Sequence, residues 1–218
     1  MKIKQIIRRI PGYALGSRMK RYLLHKKEQT IFRLYGDEGM EKVHFVLKQS
    51  GKLFFVDAGA LLGIYREGRL LKNDMDVDMC VNINDFSDIK KIRNLFTANG
   101  IQLSISYTTD KFGTIQDTFY LKGIRIDLCY YVSQGLHDIY HVLYGDDARI
   151  IKLIHTHVNK TVEFKYKKQI VLIPENTELY LIERYGDTWR IPDPNFKYWE
   201  GPNVTHEDGF GSYIFFNY

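Results

Sequence analysis

Asp74, Asp76 and Asp78 occupy every second position of the stretch NDMDVDMCV. On a strand, alternate side chains share one face, so all three would point the same way. Like charges crowded on one face repel, unless a cation neutralises them. Magnesium suits such a place: it is hard, takes oxygen ligands, and is held by one or two carboxylates together with substrate phosphates. The run lacks the glycine and distal glutamate of an EF-hand loop; the competing reading is a solvated strand edge. A further acid, Asp127, sits within IRIDLCYYV, where an unpaired carboxylate would be costly to bury. If that stretch is a strand beside DVDMCV, Asp127 meets Asp76 and Asp78. The three then form a site for phosphoryl transfer on one or two magnesium or manganese ions. Asp76, Asp78 and Asp127 are the expected metal ligands and catalytic groups. Asp74 is expected at the rim, as an orienting or substrate-contacting residue. Cys80 and Cys129 each follow an aspartate by two positions, and read as small core residues on the same face.

Upstream, in AGALLG, Gly59 ends an apolar stretch and opens a helical one. Backbone N–H groups at such a turn can cradle a phosphate, which makes Gly59, with Ala60 and Gly63 just after it, candidate phosphate-binding positions; an ordinary strand-to-helix turn is the alternative. Arg66 and Arg69 follow closely and could pair with phosphate oxygens, as could Lys72; ordinary surface positions are the alternative for all three.

The elements that must hold these residues can be read from periodicity. A helix is expected over residues 38–50, from Met40, Val43, Val46 and Leu47 at helical spacing and Gly51 as its stop. LFFVDAG reads as a short buried strand, ALLGIYREG as a short helix and DVDMCV as the next strand. Residues 84–100 read as a helix capped by Asn84 or Ser87. IQLSISY, TIQDTFYL and IRIDLCYYV read as strands, the last two separated by the turn signal Lys122-Gly123. Residues 137–156 are expected to be helical, TVEFKYKKQIVLIP a hairpin, and PENTELYLIERYG a closing helix. The last 30 residues are expected to wrap the surface as a tail. The order implies an α+β fold, a mixed sheet flanked by helices.

The 218 residues are enough for a sizeable core, and 26% charged with 44% hydrophobic is ordinary globular composition. Two cysteines give neither a disulfide framework nor zinc spacing. No apolar run reaches the roughly 18 residues of a spanning helix, and no signal peptide is evident. The expected location is therefore the cytoplasm, or the inner face of the membrane. The +5 net charge is unevenly spread: residues 1–30 carry nine Lys or Arg and one acid, leaving −3 on the rest. Nucleic acid is not an expected partner, since its binding face would be sought on the body of the domain. Two segments follow: a basic amphipathic stretch over 1–30 and a domain over 31–218. Ile3, Ile6, Ile7 and Ile10 of the first could enter an anionic membrane surface, or the stretch could dock as a solvated helix on its own domain.

Taken together, G-x-L-L-G-x-x-R-x-G (Gly59, Leu61, Leu62, Gly63, Arg66, Gly68), then Asp74, Asp76 and Asp78, then Asp127 in its strand, resemble the LicD/fukutin family of the nucleotidyltransferase-fold superfamily. YLIERYGDTWRIPDPNF is similar to that family's closing segment. The resemblance covers roughly residues 38–196. It implies a nucleotidyltransferase-like mixed sheet and a metal-dependent phosphotransferase. The donor would be CDP-linked and carry phosphocholine or a polyol phosphate. The acceptor would be a hydroxyl on a cell-surface glycan or lipid-linked oligosaccharide, as in capsule, lipopolysaccharide or teichoic acid. The chain departs from the pattern at Ala60, where Thr or Ser is usual, at Lys72-Asn73, where Pro-Trp is common, and at Met75, where an acid or His is usual. A sugar-nucleotide glycosyltransferase with a D-x-D metal site and a catalytically silent nucleotide-binding protein are the alternatives.

Overall fold

A computed structural model of the chain describes residues 13–216, with side chains from residue 22 onward. The isoleucines at 3, 6, 7 and 10 lie outside the described residues. The first element is α1 (Tyr13–Lys48), a 36-residue helix. It includes the expected helix from residue 38 and extends it back by more than twenty residues. Its buried stripe is the one the spacing indicated, with Met40, Val43, Val46 and Leu47 all excluded from solvent. It packs on β5 and β2. Gly39 allows the close approach: a Cβ there would sit 2.9 Å from the Ile124 side chain.

The chain continues as β1 (Phe54–Val56), α2 (Ala58–Glu67), β2 (Asp76–Asn82), α3 (Phe86–Ala98), β3 (Gln102–Thr109), β4 (Gly113–Leu121) and β5 (Ile124–Gln134). It then forms β6 (His137–Tyr144), β7 (Arg149–Thr156), the hairpin β8 (Thr161–Tyr166) and β9 (Gln169–Pro174), α4 (Thr177–Tyr185), a 3-10 turn (Tyr198–Glu200) and β10 (Val204–Phe215). The α+β class expected from the sequence is present: an eight-stranded mixed sheet with helices against it. Strands run β1-β2-β5-β4-β3-β10-β7-β6, and β6 pairs again with the far end of β5. Six strands thus close into a ring, with β2 and β1 attached to β5 from outside it.

Two expected elements are corrected. Residues 137–156 are not helical but form the hairpin β6–β7, paired from His137↔Thr156 to Tyr144↔Arg149. Asp138, Tyr140 and Leu143 are buried on β6 and Ile151, Leu153 and His155 on β7; Gly145 at φ +73° supplies the turn. β-Branched and aromatic residues favour this arrangement, and neighbouring strands give it partners that a local helical pattern ignores. The second correction concerns the tail. Residues 204–215 enter the sheet as β10, between β3 and β7. The N-cap of α3 is Asp85, whose carboxylate accepts from the Ser87 N–H at 2.7 Å, rather than Asn84 or Ser87.

Alternation divides β2 and β5 cleanly. Val77, Met79 and Val81 of β2, and Ile124, Ile126 and Leu128 of β5, are buried on the helix-covered face. Asp76, Asp78 and Cys80, with Arg125, Asp127 and Cys129, take the other. One charge lies on the covered face. Asp117 of β4 is fully buried, and both its oxygens accept from Arg93 of α3, at 2.7 and 2.8 Å; the Tyr130 hydroxyl donates to it at 2.6 Å. Removing the cation would strand a buried carboxylate. Arg93→Ala should lower the unfolding free energy by about 3 kcal/mol, read from chemical denaturation. An unchanged midpoint and slope would show that the pair contributes nothing.

Candidate active site

Asp57 follows β1 directly and caps α2, and its N–H donates to the Asp78 carbonyl at 3.0 Å. β1 runs antiparallel to β2 and β2 parallel to β5, with Asp78 facing Asp127. Thr118 of β4 pairs with Asp127 in turn. One row, Asp57–Asp78–Asp127–Thr118, therefore runs from the residue after β1 across β2, β5 and β4, with Asp76 beside Arg125 in the next row of that face. This is why the sequence places acids in separate segments: register brings them together.

The carboxylates differ in what holds them. Asp57 is buried and accepts from the hydroxyls of Tyr180 (2.8 Å) and Tyr140 (3.3 Å), with Arg184 of α4 at 3.7 Å. Asp127 is also buried and is held by four donors. Arg125 gives it Nε at 3.1 Å and Nη2 at 2.7 Å, Thr118 its hydroxyl at 2.6 Å, and Gln116 its amide at 3.2 Å. The other terminal nitrogen of Arg125 lies 3.6 Å from Asp76.

Asp74, Asp76 and Asp78 offer oxygens that all lie within 4.8 Å of one another. Burial pushes the Asp78 carboxyl well above the usual carboxylate range, and the charges of Asp76, Asp74 and Asp127 push it further. Burial also raises Asp76, to about 7, against the opposing pull of Arg125. Asp74 and Asp127 are raised too, chiefly by burial. Three hard oxygen donors that repel one another and ionise reluctantly fit a divalent cation, whose charge would offset theirs.

The cluster thus contains Asp74, which the sequence placed at the rim, while Asp127 stands one strand away with its oxygens engaged by Arg125, Thr118 and Gln116. Asp74 precedes β2, so strand alternation does not position it. The loop does, through its N–H to the Leu71 carbonyl at 3.2 Å, and so does Gly59, where a Cβ would collide with the Asp74 carboxylate. Gly59 thereby brings Asp74 to the start of α2. Ala60 and Gly63 are buried on the core side of that helix. A Cβ on Gly63 would meet the Arg69 carbonyl at 2.7 Å and the Leu71 nitrogen at 2.8 Å, so this glycine admits the returning loop. Arg66 donates to the Trp189 carbonyl and to Glu67, both at 3.0 Å, and Lys72 is exposed.

These groups line an open pocket of about 1180 Å³. Asp57, Gly59, Arg66, Lys72, the three clustered aspartates, Arg125 and Asp127 contribute to it, as do Arg184 and the segment through Trp189 and Phe196. Asp57 and Arg184 were not identified from the sequence. The available signal was a carboxylate closing the apolar stretch LFFV directly before the glycine turn.

The mixed sheet carries a glycine turn and, beyond it, strand carboxylates brought together by register. The profile of the family described as "LicD/FKTN/FKRP, nucleotidyltransferase domain" matches residues 51–176, and the chain belongs to that family. It is 26% identical over 191 residues to a protein of Mus musculus named ribitol-5-phosphate transferase FKTN. It is 23% identical over 188 residues to the Homo sapiens protein of that name. Each alignment covers 84% of this chain and 39% of the relative, so the chain spans about two-fifths of these proteins' length.

The raised acid has a consequence for stability. Between the model-compound value of 3.8 and about 7, Asp76 holds a proton in the folded state that the unfolded state has lost. Stability contributed there falls as pH rises through that window. In EDTA, the melting temperature of Asp76→Asn should fall less steeply from pH 5 to 7 than that of the parent chain. Magnesium should raise the parent's melting temperature by roughly 5 °C at pH 8. Parallel slopes for the two chains in differential scanning fluorimetry would refute the assignment.

Proposed function

We propose that this domain transfers a phospho-alcohol, such as phosphocholine or ribitol phosphate, from a CDP-linked donor to a hydroxyl of a glycan. The observation that carries this reading is the cluster of Asp74, Asp76 and Asp78 beside Asp127, in a pocket also lined by Arg66, Arg69 and Lys72. Family membership and the likeness to ribitol-5-phosphate transferases support it. Asp74, Asp76 and Asp78 would hold magnesium or manganese, with Asp127 next to them. The ion would supply Lewis-acid stabilisation of negative charge developing on the phosphates.

The chain's own groups perform the remaining work. Arg66, Arg69 and Lys72 neutralise the donor's diphosphate and the departing nucleotide. Arg125 and Thr118 hold Asp127 in one orientation. Burial raises the proton affinity of Asp127, which favours its taking the acceptor's proton. The acceptor oxygen forms a bond to the alcohol-bearing phosphorus, the bond to the CMP oxygen breaks, the proton passes to Asp127 and CMP leaves. Residues 1–30 serve as a basic contact with anionic membrane at the inner face. Tyr22, Leu23 and Leu24 are exposed on α1 close to Lys26 and Lys27, which supports this reading. Among the described residues, no helix is long and apolar enough to cross a membrane.

CMP release should be measured with CDP-choline, CDP-ribitol, CDP-glycerol and sugar nucleotides, each with glycan acceptors. At least one CDP-alcohol should be consumed, and Asp76→Asn and Asp78→Asn should each reduce turnover by more than about 100-fold. Turnover that survives both EDTA and Asp76→Asn would exclude the metal role, and consumption of sugar nucleotides alone would indicate a glycosyltransferase. Deleting residues 1–30 should weaken sedimentation with liposomes containing phosphatidylglycerol; equal binding by both chains would refute the membrane contact.

A further inference from the structure

The pocket is larger than most single-ligand sites, which occupy roughly 300–1,000 Å³, and its two sides differ in charge. The side built from α2 and the loop after it carries Arg66, Arg69 and Lys72, with Glu67 paired to both arginines and Asp74 of the acidic cluster at its edge. The side built from β3, β6, the 3-10 turn and β10 carries Tyr107, Leu143, Tyr144, Tyr198 and Tyr213, all uncharged. Asp127 stands between them. Register sets Tyr213 of β10 beside Tyr107 of β3, with ring centroids 5.3 Å apart and nearly perpendicular planes.

Hydrogen-bond direction limits what this side can bind. The Thr118 hydroxyl has one hydrogen, given to Asp127 at 2.6 Å. Its 3.1 Å contact with the Tyr107 hydroxyl must therefore use the tyrosine's hydrogen. The Tyr198 hydroxyl gives its hydrogen to the Leu143 carbonyl at 3.1 Å. Both phenol oxygens are left only as acceptors. A ligand hydroxyl can donate to either of these oxygens. The aromatic faces add an apolar surface that suits the C–H face of a sugar ring or polyol chain.

We infer that the tyrosine side of the pocket, built by Tyr107, Tyr144, Tyr198 and Tyr213, is the acceptor subsite and takes an uncharged carbohydrate or polyol through its hydroxyls. This deepens the proposed function and rests on it for the word acceptor. The donor's diphosphate occupies the cationic side, so the acceptor hydroxyl approaches the phosphorus from the side opposite the leaving nucleotide. Tyr198 and Tyr213 lie beyond residue 176, where the family match ends. The choice of acceptor is therefore set partly by a portion of the chain outside the matched region.

Two measurements test this. In saturation-transfer NMR with magnesium present, neutral methyl glycosides should show contact with the folded protein. Tyr198→Ala and Tyr213→Ala, each with its melting temperature recorded, should weaken that contact about tenfold. The 6-phosphates of the same glycosides should compete poorly. In turnover, the same variants should raise the KM for glycoside far more than the KM for the CDP-alcohol. Unchanged glycoside binding in both variants, or preferential binding of the phosphorylated probes, would overturn the inference. So would a rise confined to the donor KM, which would assign the tyrosines to the nucleobase. If no CDP-alcohol is consumed, the proposed function fails, and the NMR arm still decides whether this side binds carbohydrate.

Discussion

Crowding of like charge is the constraint around which this molecule is arranged. Asp57, Asp78 and Asp127 share one register row, with Asp76 and Asp74 beside them, where burial already opposes ionisation. The fold assigns an arginine to each outer member of the row: Arg184 to Asp57 and Arg125 to Asp127. Asp74 and Asp78 form no ion pair among the described residues, and Asp76 receives only the more distant nitrogen of Arg125. The charge that remains is localised where a small multivalent cation would be most strongly attracted.

Much of the surrounding architecture follows from maintaining that distribution. α4 delivers Arg184 and Tyr180 to Asp57, and β6 delivers Tyr140 to the same carboxylate. β4 supplies Thr118 and Gln116 to Asp127. Behind the sheet, Arg93 neutralises Asp117, so the two faces handle buried charge in different ways. On the covered face the pair is complete and rigid. On the pocket face the balance is left unfinished, which is the expected state of a surface that binds charged substrates.

The centre of the fold and the acidic cluster were legible because their signals are local. Alternation gave β2 and β5, helical spacing gave the buried stripe of α1, and a carboxylate inside an apolar strand marked Asp127. What was missed depends on distant partners. β6 and β7 are strands because β5 and β10 pair with them; β10 is a strand because it fills the gap between β3 and β7. Asp57 gains its significance from Tyr140, Tyr180 and Arg184, and no spacing rule links those positions. Asp74 joined the cluster for a similar reason, since a glycine in another element makes room for its carboxylate. Gly63 had the opposite outcome: a motif glycine proved to serve backbone packing.

The closed ring of strands also joins segments far apart in the chain. β10 is the last of the described strands, and it bridges β3 and β7. Tyr213 therefore meets Tyr107 across a long stretch of intervening sequence, and such distant pairings form slowly. The segments through β9 carry the whole carboxylate row. β10 adds one wall of the pocket and covers the edges of β3 and β7, which would otherwise be open to foreign strands. The acidic row and the aromatic wall thus rest on separate parts of the chain, and one strand both protects the sheet from misassembly and finishes the chamber.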